Sequence, residues 1–175
     1  MGSRAGIWLA LAASIVVADQ LAKLAAVQYL AANKAVAVTP FFNLVLVYNS
    51  GAAFSILSDA AGWQRALFIV IAVVASVWII YLLRQYSHQR LFALALSLVL
   101  AGAVGNVIDR IAIGAVIDFL DFHALGYHWP AFNVADSSIT CGAALLIWDA
   151  LRSRHKAEGS FWESCLVSWR LGGSL

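Results

Sequence analysis

The residues most able to do chemistry in this chain are five aspartates that stand in or beside long apolar runs. They are Asp19, Asp109, Asp118, Asp121 and Asp136. A charged side chain at the centre of a membrane costs about 2.5 kcal/mol or more, so each of these acids is a candidate for function. Two carboxylates held close together cannot both ionise, because their charges repel. One carboxylate can then activate a water molecule while the other donates a proton. Such a pair can hydrolyse a peptide bond without a metal, a cofactor or a nucleophilic serine.

Asp118 and Asp136 are the acids least able to pair with a basic residue nearby in the sequence, which favours them as an aspartic-protease pair. Asp118 lies in the apolar segment VIDF at 116–119, either as the polar side of an interfacial strand or helix or as a reactive group. Asp136 follows Asn133 by three positions, and this spacing could equally serve only to cap a helix. Asp109 with Asp136 is the rival pair, and the residues leave both pairs open.

Two of the remaining acids have a basic residue within reach. Asp19 and Lys23 are four residues apart, so on a helix they form an ion pair that either supports the fold or lies as a charged floor beneath a site. Asp109 precedes Arg110 at the end of an apolar segment, where a carboxylate opposes the helix macrodipole. Asp109 therefore needs a partner, and Arg110, Lys23 or a capping role could supply one.

A metal site is the chemical competitor in the same region. Asp118, Asp121, His123 and His128 offer the oxygen and nitrogen ligands that such a site needs. Their spacing is irregular, the chain has no His-Glu-x-x-His motif, and both cysteines lie elsewhere. We therefore expect no metal and no cofactor, with His123 and His128 at the membrane interface.

The composition of the chain indicates that these acidic residues belong to a membrane protein. The 175 residues are 63% hydrophobic and 11% charged, against about 45–50% and about 25% in ordinary soluble domains. The mean hydropathy is +0.85. A net charge of +2 and only two cysteines also exclude a disordered chain, a nucleic-acid binder and a disulfide scaffold. The sequence predicts an integral membrane protein.

Four segments are apolar over the roughly 20 residues that a helical span needs. We predict these spans at about 7–28, 64–84, 91–109 and 134–152. A fifth uncharged segment at 36–57 contains Pro40 and Asn43, and its apolar residues alternate with a period of two. That alternation is typical of short strands joined by a turn rather than of a helix.

The predicted fold class is therefore a membrane all-α bundle of four transmembrane helices with a small extracytoplasmic β-cradle or hairpin. The β-cradle takes up about 35–60, and an outer loop takes up 110–133. A single membrane domain extends over 1–156, followed by a tail of unknown role at 157–175.

The orientation follows from the basic residues. With four spans, the N-terminus, the loop after the second span and the C-terminal tail share one side of the membrane. Seven of the 11 basic residues are on that side: Arg4, Arg84, Arg90, Arg152, Arg154, Lys156 and Arg170. The positive-inside rule makes this side cytoplasmic, so the five aspartates gather at the outer face.

Five motifs, taken together, resemble the bacterial lipoprotein signal peptidases (signal peptidase II), a family of membrane aspartyl peptidases. These are DQLAK at 19–23, NSGAAF at 49–54, GNVIDR at 105–110, VIDF at 116–119 and FNVAD at 132–136. They occur in the family's order, from the first span to the last. The tail beyond 157 departs from the pattern, because chains of the family usually stop soon after the fourth span.

The resemblance implies an endopeptidase that removes the signal peptide from diacylglyceryl-modified prolipoproteins, cutting N-terminal to the lipid-modified cysteine. We expect a monomer of the bacterial inner membrane, with both termini cytoplasmic and the active site near the outer face. Its partners would be these prolipoproteins and membrane lipids, not nucleic acid. By resemblance, Asp118 and Asp136 match the catalytic pair. Further positions match residues that support the site or bind substrate: Asp19, Lys23, Asn49, Gly51, Asn106, Asp109, Arg110 and Asn133.

A different class of function is open on physical grounds. A small proton-coupled transporter or channel could use Asp19, Asp109 and Asp136 as a relay across the membrane. The clustering of the polar groups at one face, rather than along the bundle, counts against this alternative.

Overall fold

The four helices and the hairpin between the first two occur in the order that the sequence predicts. The computed structural model describes residues 3–30, 34–51 and 63–172, with side chains over 4–30, 34–51 and 63–153. The elements are α1 (Ser3–Tyr29), β1 (Val36–Thr39), β2 (Phe42–Asn49), α2 (Trp63–Tyr86), α3 (Arg90–Ala112), β3 (Val116–Ala124), β4 (Tyr127–His128) and α4 (Val134–Gly172).

Each of the four helices contains a stretch that is long and apolar enough to cross a membrane. Many of their large apolar side chains point outward, such as Ile7 and Val74, which are 65% and 63% exposed. This exposure suits hydrocarbon as the surroundings. The predicted four-helix membrane fold is confirmed. The fourth helix continues to Gly172, beyond the end of the predicted span at 152.

The third helix, α3, is the centre of the bundle. Half of its most apolar window is buried, against 17% or less in the other three helices. It packs against α1, α2 and α4. Its Leu96 and Leu100 belong to a core that also contains Ala12 of α1 and Ile79 and Leu83 of α2. Residues of α3 near its C-terminal end can therefore contact several elements at once.

The backbones of α3 and α4 approach closely because glycines lie between them. A Cβ atom on Gly142 would be 2.7 Å from the carbonyl oxygen of Ala95, and one on Gly102 would collide with the carbonyl oxygen of Ala135. Small residues at helix interfaces are a general device of membrane proteins, which lack a hydrophobic drive between helices. This contact holds the start of α4 against α3.

A four-stranded antiparallel sheet, in the order β1-β2-β3-β4, lies at one end of the bundle. The predicted hairpin is confirmed in β1 and β2, and the rest of the predicted β-cradle, 52–60, lies outside the described residues. The segment 110–133, predicted as an outer loop, instead contributes β3 and β4. Both faces of β3 are largely covered, so its sequence lacks the alternation of a half-exposed strand.

The pairing of β2 with β3 contains a β-bulge. Leu44 is opposite Leu120, but Val47 is opposite Asp118, so β2 has one more residue than β3 between these two pairs. A bulge of this kind reverses which face of the sheet the following side chains occupy.

Replacing Gly102 by alanine is expected to destabilise the bundle by about 1–3 kcal/mol, because the added methyl group pushes α4 away from α3. Thermal unfolding of the purified protein in detergent measures the effect. Gly6→Ala is the matched control, since a Cβ atom there meets nothing within 4 Å. Equal unfolding temperatures for the two variants would contradict the close packing of α3 on α4.

Candidate active site

Asp118 and Asp136 both lie against Asn133, at the end of the bundle that carries the sheet. Asp118 lies in β3 and is 1% exposed, whereas Asp136 lies in the first turn of α4 and is half-buried. Asn133 contacts both. Its Nδ2 donates to Asp118 Oδ1 at 2.7 Å, and its backbone N–H donates to Asp136 Oδ2 at 3.3 Å. One residue thus joins the two carboxylates that the sequence favours as a pair.

The same residues cap α4. The backbone N–H of Asp136 donates to Asn133 Oδ1 at 2.8 Å, which completes a reciprocal capping box with the bond from the Asn133 N–H. Capping, which the sequence offered as an alternative to chemistry, is therefore present. It also fixes the position of the Asp136 carboxylate, so the two interpretations are compatible.

Asn106 of α3 supplies a second donor to Asp136. Its Nδ2 donates to Asp136 Oδ1 at 2.8 Å, while its Oδ1 accepts from Lys23 Nζ at 3.2 Å and from Asn133 Nδ2 at 3.3 Å. An ammonium group can only donate, so Lys23 requires the carbonyl side of the amide to face it. This leaves the NH₂ group of Asn106 directed at Asp136.

Lys23 is the centre of a buried charge cluster. Its Nζ lies 2.8 Å from both Asp19 Oδ2 and Asp109 Oδ2, and all three side chains are at most 3% exposed. The predicted pair between Asp19 and Lys23 is present, and Lys23 is the partner that Asp109 needs. Gln20, which is part of the DQLAK motif but was not among the predicted site residues, donates to Asp109 Oδ1 at 3.0 Å.

Asp19 and Asp109 also connect this cluster to the site. Asp19 Oδ1 accepts from the Ala135 N–H of α4 at 2.8 Å, and Asp109 Oδ2 accepts from the Ile117 N–H of β3 at 3.2 Å. Gly105 makes room for Asp19, because a Cβ atom there would lie 2.7 Å from Asp19 Oδ2. The residues directly before Asp136 and Asp118 are therefore each held by an acid of the cluster.

Asn49, at the end of β2, completes the surroundings of Asp118. Its Nδ2 donates to Asp118 Oδ2 at 3.0 Å, and its Oδ1 accepts from the Gly51 N–H at 2.9 Å. Gly51 has a φ of +101°, a conformation that favours glycine, and a Cβ atom there would lie 2.9 Å from the Phe68 ring. The rest of the NSGAAF motif, 52–54, lies outside the described residues.

Burial and, to a smaller extent, the negative charge of Asp136 raise the pKa of Asp118. The hydrogen bonds from Asn49 and Asn133 oppose this shift, and the resulting pKa is about 6. Asp118 thus exchanges its proton in the range where a group can serve either as acid or as base near neutral pH.

Arg110 lies beside the site without pairing with a carboxylate among the described residues. Its Nη1 donates to the Asn106 carbonyl at 3.3 Å, and its guanidinium lies 5.1 Å from the centroid of the Phe68 ring.

The residues considered as metal ligands separate into two places. Asp118 and Asp121 are three apart on β3, so they point to opposite faces of the sheet. Asp121 contacts His128 Nδ1 and Asn43 Nδ2, both at 2.9 Å, and His123 stacks on His128 with ring centroids 4.9 Å apart. Within the described ranges, no three His, Cys, Asp or Glu side chains are grouped as a metal ion would require.

Comparison with known proteins relates this arrangement to one family. The family model described as "Signal peptidase (SPase) II" matches residues 11–152. A "Lipoprotein signal peptidase" of Paraburkholderia phymatum is 55% identical over 145 residues, which cover 83% of this chain and 87% of the relative. The protein of the same name from Burkholderia mallei is 54% identical, with the same coverage.

Two solved structures have the same fold. One, described as "Bacterial membrane enzyme structure by the in meso method at 1.9 A resolution", has a TM-score of 0.74 and 34% identity. The match covers 83% of this chain and 93% of the solved chain. The other, a bacterial membrane enzyme structure at 2.3 Å, has a TM-score of 0.75 and 33% identity, covering 85% and 90%. Family model, relatives and fold agree over the whole bundle, and the chain belongs to the signal peptidase II family.

Proposed function

We propose that this chain is a membrane aspartyl endopeptidase that removes the signal peptide from diacylglyceryl-modified prolipoproteins, cutting N-terminal to the lipid-modified cysteine. Membership of the signal peptidase II family supports a peptidase. The name shared by the relatives, lipoprotein signal peptidase, supports the substrate class. The observation that carries the aspartyl chemistry is the contact of Asn133 with both Asp118 and Asp136.

The hydrogen bonds around this pair suit acid–base catalysis. Each carboxylate oxygen of Asp118 and Asp136 accepts a hydrogen bond from an asparagine. A carboxylate oxygen has two acceptor sites, so each keeps one for a water molecule or a proton. One carboxylate removes a proton from the water that attacks the scissile carbonyl carbon. The other donates a proton to the departing amine nitrogen.

The contacts of Asp109 favour Asp118 over it as the partner of Asp136. Both oxygens of Asp109 are engaged by donors that belong to the scaffold, namely Lys23, Gln20 and the Ile117 N–H. Asp109 Oδ2 contacts both Lys23 Nζ and the Ile117 N–H, which occupies the two acceptor sites of that oxygen.

The distribution of charge supports a site at the outer membrane face. The basic residues outside the site concentrate at the end of the bundle away from the sheet, and the positive-inside rule makes that end cytoplasmic. A lipid-modified substrate with an apolar signal helix can then reach the site by diffusion within the bilayer. Asp19 and Asp109 lie in the Lys23 cluster, and Asp136 is linked to it through Asn106. All three acids therefore lie at the sheet end, which speaks against a proton relay across the bundle.

Asp118→Asn and Asp136→Asn are each expected to reduce cleavage by about 10²–10⁴-fold, because each removes one partner of the acid–base pair. Cleavage of a lipid-modified precursor peptide by purified protein in detergent measures the loss, and a thermal unfolding scan verifies folding. Asp121→Asn is the matched control. It makes the same change on the other face of β3 and is expected to keep most activity.

Two results would contradict this assignment. One is robust turnover by either the Asp118 or the Asp136 variant. The other is loss of wild-type turnover on adding a chelator, with recovery on adding zinc, since a carboxylate pair needs no metal.

Asn49→Ala is expected to move the limb of the pH–rate profile that follows the ionisation of Asp118 to higher pH. The hydrogen bond from Asn49 lowers the pKa of Asp118 from the value that burial alone would give, so its removal lets this pKa rise above about 6. The plot of kcat/KM against pH reports the ionisation in the free enzyme. Asn43→Ala, which removes a donor to Asp121 instead, is expected to leave the profile in place. A shift to lower pH in the Asn49 variant would contradict the role of Asp118.

Lys23 is expected to act by orienting Asn106. The double variant Lys23→Met with Asp109→Asn keeps the net charge of the cluster but frees the Asn106 amide to rotate. We expect kcat to fall by roughly a hundredfold, because a small misplacement of a reacting group is costly, while KM changes little. Asp109→Asn alone keeps Lys23 beside Asn106 and should lose less. Equal losses of kcat in the two variants would exclude the orienting role.

A further inference from the structure

We propose that a basic cavity at the end of the bundle away from the sheet binds the phosphate headgroup of an anionic phospholipid. The cavity has a volume of about 280 Å³. It is lined by Arg4, Ile7, Trp8, Ser87, His88 and Arg90. The proposal does not depend on the peptidase chemistry, because none of these residues belongs to the site around Asp118 and Asp136.

The cavity lies on the opposite side of the hydrocarbon layer from that site. Arg90 begins α3, and Asn106 lies 16 residues further along the same helix, a rise of roughly 24 Å. The walls of the cavity come from the start of α1 and from the turn between α2 and α3. The indole Nε1 of Trp8 donates to the Ser87 carbonyl at 3.0 Å, which holds these two walls together.

The charges around the cavity favour an anion. Arg4 and Arg90 form no ion pair with any carboxylate of the described residues, and the lining itself contains no acid. Gln89, the N-cap of α3, makes no side-chain hydrogen bond to the helix. The first backbone N–H groups of α3 are therefore available beside Arg90, and the macrodipole adds positive potential there.

The surroundings favour a phospholipid over a soluble phosphate. Ile7 forms an apolar wall and is 65% exposed on a membrane-spanning helix. Trp8 is half-buried, and tryptophan is typical of the level of the lipid headgroups. An amphiphile can place its phosphate between Arg4 and Arg90 while its acyl chains extend along Ile7. A soluble anion would leave that wall unused. Basic pockets between helix ends on the cytoplasmic side are known to suit anionic headgroups.

The test is a lipid titration of the full-length protein in detergent, with native mass spectrometry counting bound lipids. Phosphatidylglycerol and phosphatidylethanolamine are the two probes. We expect the wild type to bind phosphatidylglycerol more tightly, and Arg4→Gln with Arg90→Gln to weaken this binding roughly tenfold or more. The matched control is Arg84→Gln with Arg152→Gln, two exposed residues outside the cavity lining. It makes the same charge change at the same end of the bundle and is expected to stay within about twofold.

Three results would overturn the proposal. If both double variants weaken phosphatidylglycerol binding equally, general surface charge explains the binding. If neither does, the cavity does not select anionic lipid. If glycerol phosphate displaces phosphatidylglycerol at equal concentration, the cavity binds soluble phosphate. Should the double variant fail to fold, Arg90→Gln against Arg84→Gln gives the same comparison with a single charge removed.

Discussion

The ammonium group of Lys23 is the interaction around which the site is organised. It is buried in an apolar bundle, where an unpaired charge would cost several kcal/mol, so partners must converge on it. Asp19 comes from its own helix, and Asp109 and Asn106 come from α3. Through those partners the charge reaches the first turn of α4 and the start of β3, so four elements depend on one side chain.

Three asparagines direct hydrogen bonds to the carboxylates of the site, and each is oriented in the same way. The side-chain oxygen of each accepts a fixed donor: Lys23 for Asn106, the N–H of Asp136 for Asn133, and the N–H of Gly51 for Asn49. Because the oxygen is held, the NH₂ group must point the other way, toward an aspartate. The amides thus donate to the buried Asp118 and the half-buried Asp136 and partly offset the cost of removing these carboxylates from water.

Much of this structure could be predicted from the sequence, but only where the interacting residues are close together along the chain. Hydropathy predicted four spans, and the spacing of Asp19 with Lys23 and of Asn133 with Asp136 predicted an ion pair and a cap. The partner of Asp109 stayed open, because it lies on another helix. A strand at 116–119 was only one of the alternatives, and 110–133 as a whole was predicted as a loop, because the acids of β3 occupy both covered faces and no alternation marks it. Contacts across the bundle depend on packing, which local pattern does not encode.

The extra residue in β2 determines on which face of the sheet the side chains before and after it lie. Asn43 and Asn49 are six positions apart, so in a regular strand both would lie on the same side. Their partners Asp121 and Asp118 lie on opposite sides of β3. Only an odd insertion between the two asparagines lets each reach its own acid. A deletion of one residue there would therefore leave the strand more regular and turn one of the two amides away from the carboxylate it serves.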